Sequence, residues 1–257
     1  MIKHKICKIL LVILAIFLCV VFYELLGICV AYKKQPEVSN TTKKETINGS
    51  WNECSENTER AVIIEKNPEA LLQRVRLIKN AKKEIILSTF AFQSDESGKV
   101  ILGALHDAAD RGVHIRLLVD GMESWIDMEG NPYFYGLSSH ENVEIKLYNK
   151  ANPLKPWKMM GRMHDKYLIA DGKRYILGGR NTHNYFLGDF PGHKNYDRDV
   201  LVVCDEPEKE NSVNQLSKYF ETIWNQEDSG YFHNNKKLAN RKSVKNAVLE
   251  LQNSYQK

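Results

Sequence analysis

The sequence predicts an α/β domain, a mixed β-sheet flanked by helices, preceded by one transmembrane helix. Three observations carry this. Strand-like and helix-like segments alternate from Arg60 to Ile223, the pattern of a sheet layered between helices. An apolar run near the N-terminus is long enough to cross a bilayer. A period-2 stretch, Tyr167 and Ile169 then Tyr175 and Leu177, folds back around Asp171-Gly172-Lys173 and reads as a β-hairpin.

Lys3, His4, Lys5 and Lys8 precede the unbroken apolar run Ile9 to Tyr23. Glu24 interrupts it, Leu25 to Tyr32 continues it, and Lys33-Lys34 ends it. As a helix, Ile9 to Tyr32 spans a hydrocarbon core of ~30 Å, with Glu24 toward one interface. A signal-peptidase site needs small residues, and Gly27-Ile28-Cys29-Val30-Ala31 is a poor one. A lipoprotein site needs a small residue before Cys29, where Ile28 stands. Residues 1–34 are therefore expected to be an uncleaved signal anchor. Positive charge at the extreme N-terminus places that end in the cytoplasm and the rest outside, although Lys33-Lys34 reduces the asymmetry. Residues 35–58 are polar and aperiodic, a juxtamembrane linker.

Residues 59–228 hold the expected domain. Ala61 to Ile64 is a short strand. Asn67-Pro68 opens a helix, asparagine as cap and proline at the first position, with Leu71, Val75 and Ile78 on its apolar face. Glu84 to Phe92 is a buried strand. Ser97 to Arg111 is a helix with Ile101, Leu105 and Ala108 on one face, ended by Gly112. Val113 to Val119 and Val143 to Tyr148 are strands, and the hairpin with Val200 to Val203 completes the sheet. Val213, Leu216, Phe220 and Ile223 mark a closing helix. Residues 229–257 read as a polar tail or the start of a missing second half.

Three segments admit two readings. The basic, apolar, turn-rich run Asn152 to Met160 is either a loop at the mouth of a site, meeting lipid, or a solvated connection with Trp157 in the core. Tyr185, Phe186 and Phe190 line an entrance or pack on the sheet. Met122 to Tyr135, with Trp125, Tyr133 and Phe134, is equally open.

The net charge of +4 is compatible with anionic lipid or nucleic acid and demands neither. Of five cysteines, Cys7, Cys19 and Cys29 fall in or beside the apolar run. Cys54 and Cys204 could pair outside the cytosol or stay as thiols. No C-x-x-C or His-rich spacing indicates a metal, and His183, Asp189 and His193 are not taken as a zinc site.

The chemistry concentrates in one run. Met163-His164-Asp165-Lys166 leads through Tyr167 to Asp171, and Gly178-Gly179-Arg180-Asn181 follows. The spacing is H-x-K-x4-D-x6-G-G-x-N. Alternation puts His164, Lys166 and Leu168 on one side of the first hairpin strand. A neutral imidazole can attack phosphorus and form a phosphohistidine. The Lys166 ammonium and Asn181 amide can hold non-bridging oxygens where charge develops. Glycines at 178 and 179 let backbone approach a phosphate. Fixed cations supply the charge, so no metal or cofactor is required.

This run resembles the HKD signature of the phospholipase D superfamily. The variant MHDKYLIADGKRYILGGRN, followed by Tyr185-Phe186, is most similar to bacterial cardiolipin synthases and related membrane-anchored phospholipase-D-like proteins. The resemblance implies an α/β sandwich in which His164 is nucleophile or general acid, and Lys166 and Asn181 bind phosphate. Asp171 would be structural rather than catalytic. Many members have serine where Gly179 stands; the cardiolipin-synthase-like members commonly have glycine. A carboxylate at the start of the next strand, Asp199 with Asp197 in reserve, would hydrogen-bond the histidine. The alternative is a pair of exposed turn carboxylates.

One departure stands out. The family's site is built from two HKD motifs, one histidine attacking and the other protonating the leaving alcohol. This chain has one, since His106, His114, His140, His183, His193 and His233 lack a lysine two residues on. Either two copies meet across a two-fold axis, as in the small single-motif nucleases, or this is the first half of a two-motif protein. The polar end of the chain favours the half. The expected substrate is a phospholipid at a membrane. Nucleic acid is the alternative, disfavoured by the low net charge. An inactive half is the third.

Overall fold

The computed structural model describes residues 2–33, 39–41, 43–44, 59–205, 211–233 and 236–255. The chain divides into two units, Met1–Glu56 with Ala151–Gly161, and Asn57–Lys150 with Arg162–Lys257.

In the first unit, α1 (Ile2–Lys33) is one continuous helix. An 18-residue stretch within its segment Lys5–Lys33 reaches a mean hydropathy of 3.0, and the segment is long and apolar enough to cross a membrane. Ala151–Gly161 carries a short 3-10 turn, Pro156–Lys158, that packs against α1. Most of the expected linker lies outside the described residues, as does Cys54, so the choice between a Cys54–Cys204 pair and two thiols falls there too.

The second unit is built on an eight-stranded mixed sheet in the order β1-β7-β6-β5-β2-β3-β4-β8. The strands are β1 (Glu59–Ile64), β2 (Glu84–Thr89), β3 (His114–Asp120), β4 (Val143–Tyr148), β5 (Lys166–Ala170), β6 (Arg174–Gly178), β7 (Asp199–Cys204) and β8 (Ser229–Tyr231). β2, β3 and β4 are parallel; the other pairings are antiparallel. Parallel neighbours need crossovers. Helix α3 (Glu96–Asp110) makes the first, and α4 (Gly121–Asp127) with α5 (Pro132–Ser138) the second.

Strand alternation divides the core. Leu87, Leu117, Ile145, Leu168 and Ile176 face one side, under α3, α5 and α2 (Asn67–Asn80). Ile86, Leu118, Tyr167, Ile169 and Tyr175 face the other, against Val213, Phe220 and Trp224 of α6 (Ser212–Trp224). Each central strand therefore reads as a continuous apolar run.

Several expectations need correcting. The cap of α2 is Lys66, with no side-chain cap bond, because the Asn67 amide is used elsewhere. It donates to the Asn195 carbonyl at 2.9 Å and its oxygen accepts from Arg180 at 3.1 Å. The strand expected to reach Phe92 ends at Thr89, and Phe92 makes only an isolated bridge to Thr182. His164 precedes β5 rather than lying in it, so the strand alternation does not extend to it. Nor does the boundary at residue 228 divide the fold. β8 pairs with β4, α7 (Lys236–Ala239) follows, and α8 (Lys242–Tyr255) packs on α3 and α5, burying Val244, Ala247 and Leu251.

Candidate active site

The site forms where the parallel strands end and the hairpin begins, the usual place for ligand chemistry in sheets of this kind. Lys166 opens β5 opposite Thr89, the last residue of β2. Beyond Thr89 the chain turns through Phe90 and Ala91. Asn181 follows β6 and reaches the same turn, its Oδ1 accepting from the Ala91 amide at 3.4 Å. The Thr182 amide donates to the Ala91 carbonyl at 3.0 Å. Lys166 and Asn181 are thus both anchored on the Thr89–Ala91 turn.

Phe90 is the hub of the cationic groups. The His164 ring meets it edge-on at 4.5 Å between centroids. The Arg162 guanidinium lies 4.9 Å and the Lys166 ammonium 5.2 Å from the same ring. A π-face attracts cations and holds them without neutralising them. Lys166 is buried, and its ammonium donates to the His164 carbonyl at 2.8 Å, fixing the strand entry. His164 itself is exposed.

Asp120, at the end of β3, supports the residues before the histidine. It is buried and caps α4 by accepting from the Met122 and Glu123 amides at 3.0 and 3.2 Å. It also accepts from Arg162 Nε at 2.9 Å and from the Met163 amide at 3.0 Å. Arg162 reaches Glu123 at 2.9 Å as well.

These surroundings set the protonation states. Desolvation and the neighbouring Lys166 charge hold the His164 pKa below its ordinary value, against the opposing pull of Asp120. A lowered pKa favours the neutral imidazole near pH 7. Desolvation also lowers the Lys166 pKa, with Asp165 and Asp197 opposing it. The carboxylates around Arg162 raise its pKa despite burial.

The other expected residues are placed differently. Asp171 sits at the hairpin turn with φ 54°. Its carboxylate accepts from the backbone amides of Lys82, Lys83 and Glu84, the shortest at 2.7 Å. Burial alone would push it up, but these amides hold its pKa below the usual range. It joins the hairpin to β2. Gly178 and Gly179 are required by packing. A Cβ at 178 would overlap Asp199 and come 2.5 Å from the Arg198 carbonyl oxygen. A Cβ at 179 would overlap the Asp197 carboxylate, so a serine there would displace it.

Asp199 does not hydrogen-bond His164. It is buried and pairs with Arg74 at 2.8 Å and Arg180 at 3.2 Å. Two guanidiniums buried behind the sheet need a counter-charge more than a neutral imidazole does. The reserve candidate, Asp197, lies against Gly179 and acts electrostatically on Lys166.

Sequence reasoning missed Phe90, Asp120 and Arg162. Only Asp120 had a local signal, an aspartate before a glycine between an apolar strand and a helix. Tyr185 meets His183 and His193 edge-to-face, and Phe186 packs on the core. Phe134 is buried, whereas Trp125 is 64 % exposed.

Comparison with known proteins identifies the family and the fold. The family model for the cardiolipin synthase PLD-like domain matches residues 74–224. An uncharacterized protein of Helicobacter pylori strain J99 is 31 % identical over 271 residues, covering 97 % of this chain and 50 % of that protein. Cardiolipin synthase C of Escherichia coli is 28 % identical over 171 residues, 61 % of this chain and 34 % of the synthase. The chain thus spans half the length of the first relative and about a third of the second. Among solved structures, NucT from Helicobacter pylori shares the fold with a TM-score of 0.52 at 16 % identity, covering 68 % of this chain and 99 % of that one. With more than half of its length matched to that model and the fold in agreement, the chain belongs to the PLD-like domain family of cardiolipin synthase, within the phospholipase D superfamily.

Proposed function

We propose that this chain is a membrane-anchored phosphodiesterase that cleaves or transfers phosphatidyl groups through a histidine adduct, in the manner of a cardiolipin synthase. The observation that carries the reading is the exposed His164 ring with its lowered pKa, set beside the buried Lys166 ammonium on Phe90. In the first step an imidazole nitrogen bonds to phosphorus while the bond to the leaving alkoxide breaks. Lys166, Arg162 and the Asn181 amide stabilise the negative charge on the non-bridging oxygens. The alkoxide takes a proton from an acid. In the second step water or an acceptor alcohol attacks the phosphatidyl-histidine, its proton leaves to a base, and imidazole is released. Water gives phosphatidic acid; phosphatidylglycerol as acceptor gives cardiolipin. Asp171, Gly178 and Gly179 shape the site, and Asp199 holds Arg74 and Arg180. The acid is the histidine of a second motif, carried by a second copy or by a further segment of a longer protein. The N-terminus is cytoplasmic and the PLD-like domain lies outside.

The single motif also supports a second reading, a homodimeric nuclease using the same chemistry. One experiment separates the two. The full chain is reconstituted in phosphatidylglycerol vesicles with chelator present, and lipid products and plasmid nicking are followed together. Phosphatidic acid or cardiolipin, with a phosphatidyl mass increment on the His164 peptide, supports the lipid reading. His164-dependent nicking without lipid turnover overturns it in favour of the nuclease. Neither activity would mean that the chain is an inactive half.

A further inference from the structure

We propose that the loop Ala151–Gly161 is a second membrane contact, resting in the headgroup zone of the bilayer that α1 crosses, and that a notch in α1 at Gly27 holds it there.

Tyr23 Oη donates to the Leu154 carbonyl at 2.9 Å. Gly27, one turn further on, is buried, whereas its helix neighbours Leu26 and Ile28 are 48 % and 39 % exposed. A Cβ at Gly27 would overlap the Pro156 ring and come 3.1 Å from the Trp157 amide. The helix is therefore notched where the loop seats, and Tyr23 and Gly27 lie on the same face of it.

The depth of this notch is set by the helix. About 20 helical residues cross the hydrocarbon core, so a span entered at Ile9 leaves it near Ile28. Gly27 therefore falls at the outer edge of the core, and Tyr23, one turn earlier, about 6 Å inside it. A loop docked there meets lipid rather than bulk water. Its surface fits that place. Leu154 is 78 %, Trp157 44 % and Met160 52 % exposed, and Lys155 and Lys158 are exposed beside them. Tryptophan favours the membrane interface, and lysines there meet anionic headgroups. Three large apolar side chains within seven residues form a patch rather than scattered exposure. The Tyr23 bond also satisfies a hydroxyl and a carbonyl where water is scarce. From this loop the chain passes directly into Arg162, Met163 and His164.

The inference rests on α1 being a membrane anchor and is independent of which diester the site takes. The test uses the full chain in phosphatidylcholine–phosphatidylglycerol vesicles. Subtracting the emission of Trp157→Phe isolates Trp157 from the other tryptophans. The expected result is quenching of that component by lipids brominated near the headgroup, with little quenching by iodide. Gly27→Leu, which fills the notch, should exchange the two sensitivities. A wild-type component quenched by iodide, or reached by neither quencher, overturns the proposal. Flotation after a carbonate wash tests the anchor separately. A chain that fails to float overturns both readings, whereas one that floats with iodide-accessible Trp157 overturns only the loop.

Discussion

At the closed end of the β5–β6 hairpin, the Asp171 carboxylate is surrounded by three backbone amides of the segment entering β2. At the open end, His164 is exposed, its pKa lowered, with cations on the Phe90 ring beside it. Both ends carry residues of one signature, and both residues have depressed pKa values. The causes differ. Amide hydrogen bonds hold Asp171 ionised and bound. Desolvation and neighbouring positive charge keep His164 neutral and unspent. One signature thus places a structural clamp at one end of the hairpin and an exposed imidazole at the other. Asp199 extends the contrast, since it serves two buried arginines instead of the histidine.

The largest expected effect breaks the open end. His164→Asn should reduce diester turnover by roughly 10³-fold or more, the scale seen when a nucleophile is removed, while the unfolding midpoint stays unchanged. A variant that keeps near-normal turnover would remove His164 from the mechanism. Next comes the buried carboxylate behind the sheet. Asp199→Ala leaves Arg74 and Arg180 without their counter-charge and should cost about 3–5 kcal/mol of stability, read from urea denaturation. A loss under about 1 kcal/mol would mean that the arginines find another partner.

The clamp should respond more mildly and in stability alone. Asp171→Asn should cost about 1–3 kcal/mol through amides left poorly satisfied, with turnover per folded molecule retained. The sign with pH follows from its lowered pKa. The clamp contributes fully above the ordinary carboxylate pKa, and its contribution is lost as pH falls through the lower folded value. The stability gap between wild type and Asp171→Asn should therefore close in acid.

The smallest effect is a displacement of the activity profile. In the proposed mechanism only neutral His164 attacks, so turnover should fall on the acid side with a midpoint below the ordinary histidine value of about 6.5. A midpoint above that value would contradict the environment described for the ring.

Much of this was legible in the sequence because it is local. Apolar runs marked the buried strands, and period-2 residues around a turn at Asp171-Gly172-Lys173 marked the hairpin. The long apolar run marked α1. The spacing of His164, Lys166, Asp171 and Asn181 was readable because a hairpin converts fixed separation into fixed geometry. What the tertiary structure alone decided involves partners far apart in the chain. Phe90 becomes a cation platform because β2 pairs with β5. Asp120 supports Met163 across 43 residues. Asp199 joins Arg74 across 125 residues. The segment after residue 228 looked like a polar tail because its apolar residues are few, yet Val244 and Leu251 complete the core. Sequence periodicity determines which face of an element is apolar. Which charges meet, and which of them must be compensated by burial, is set only when the sheet assembles.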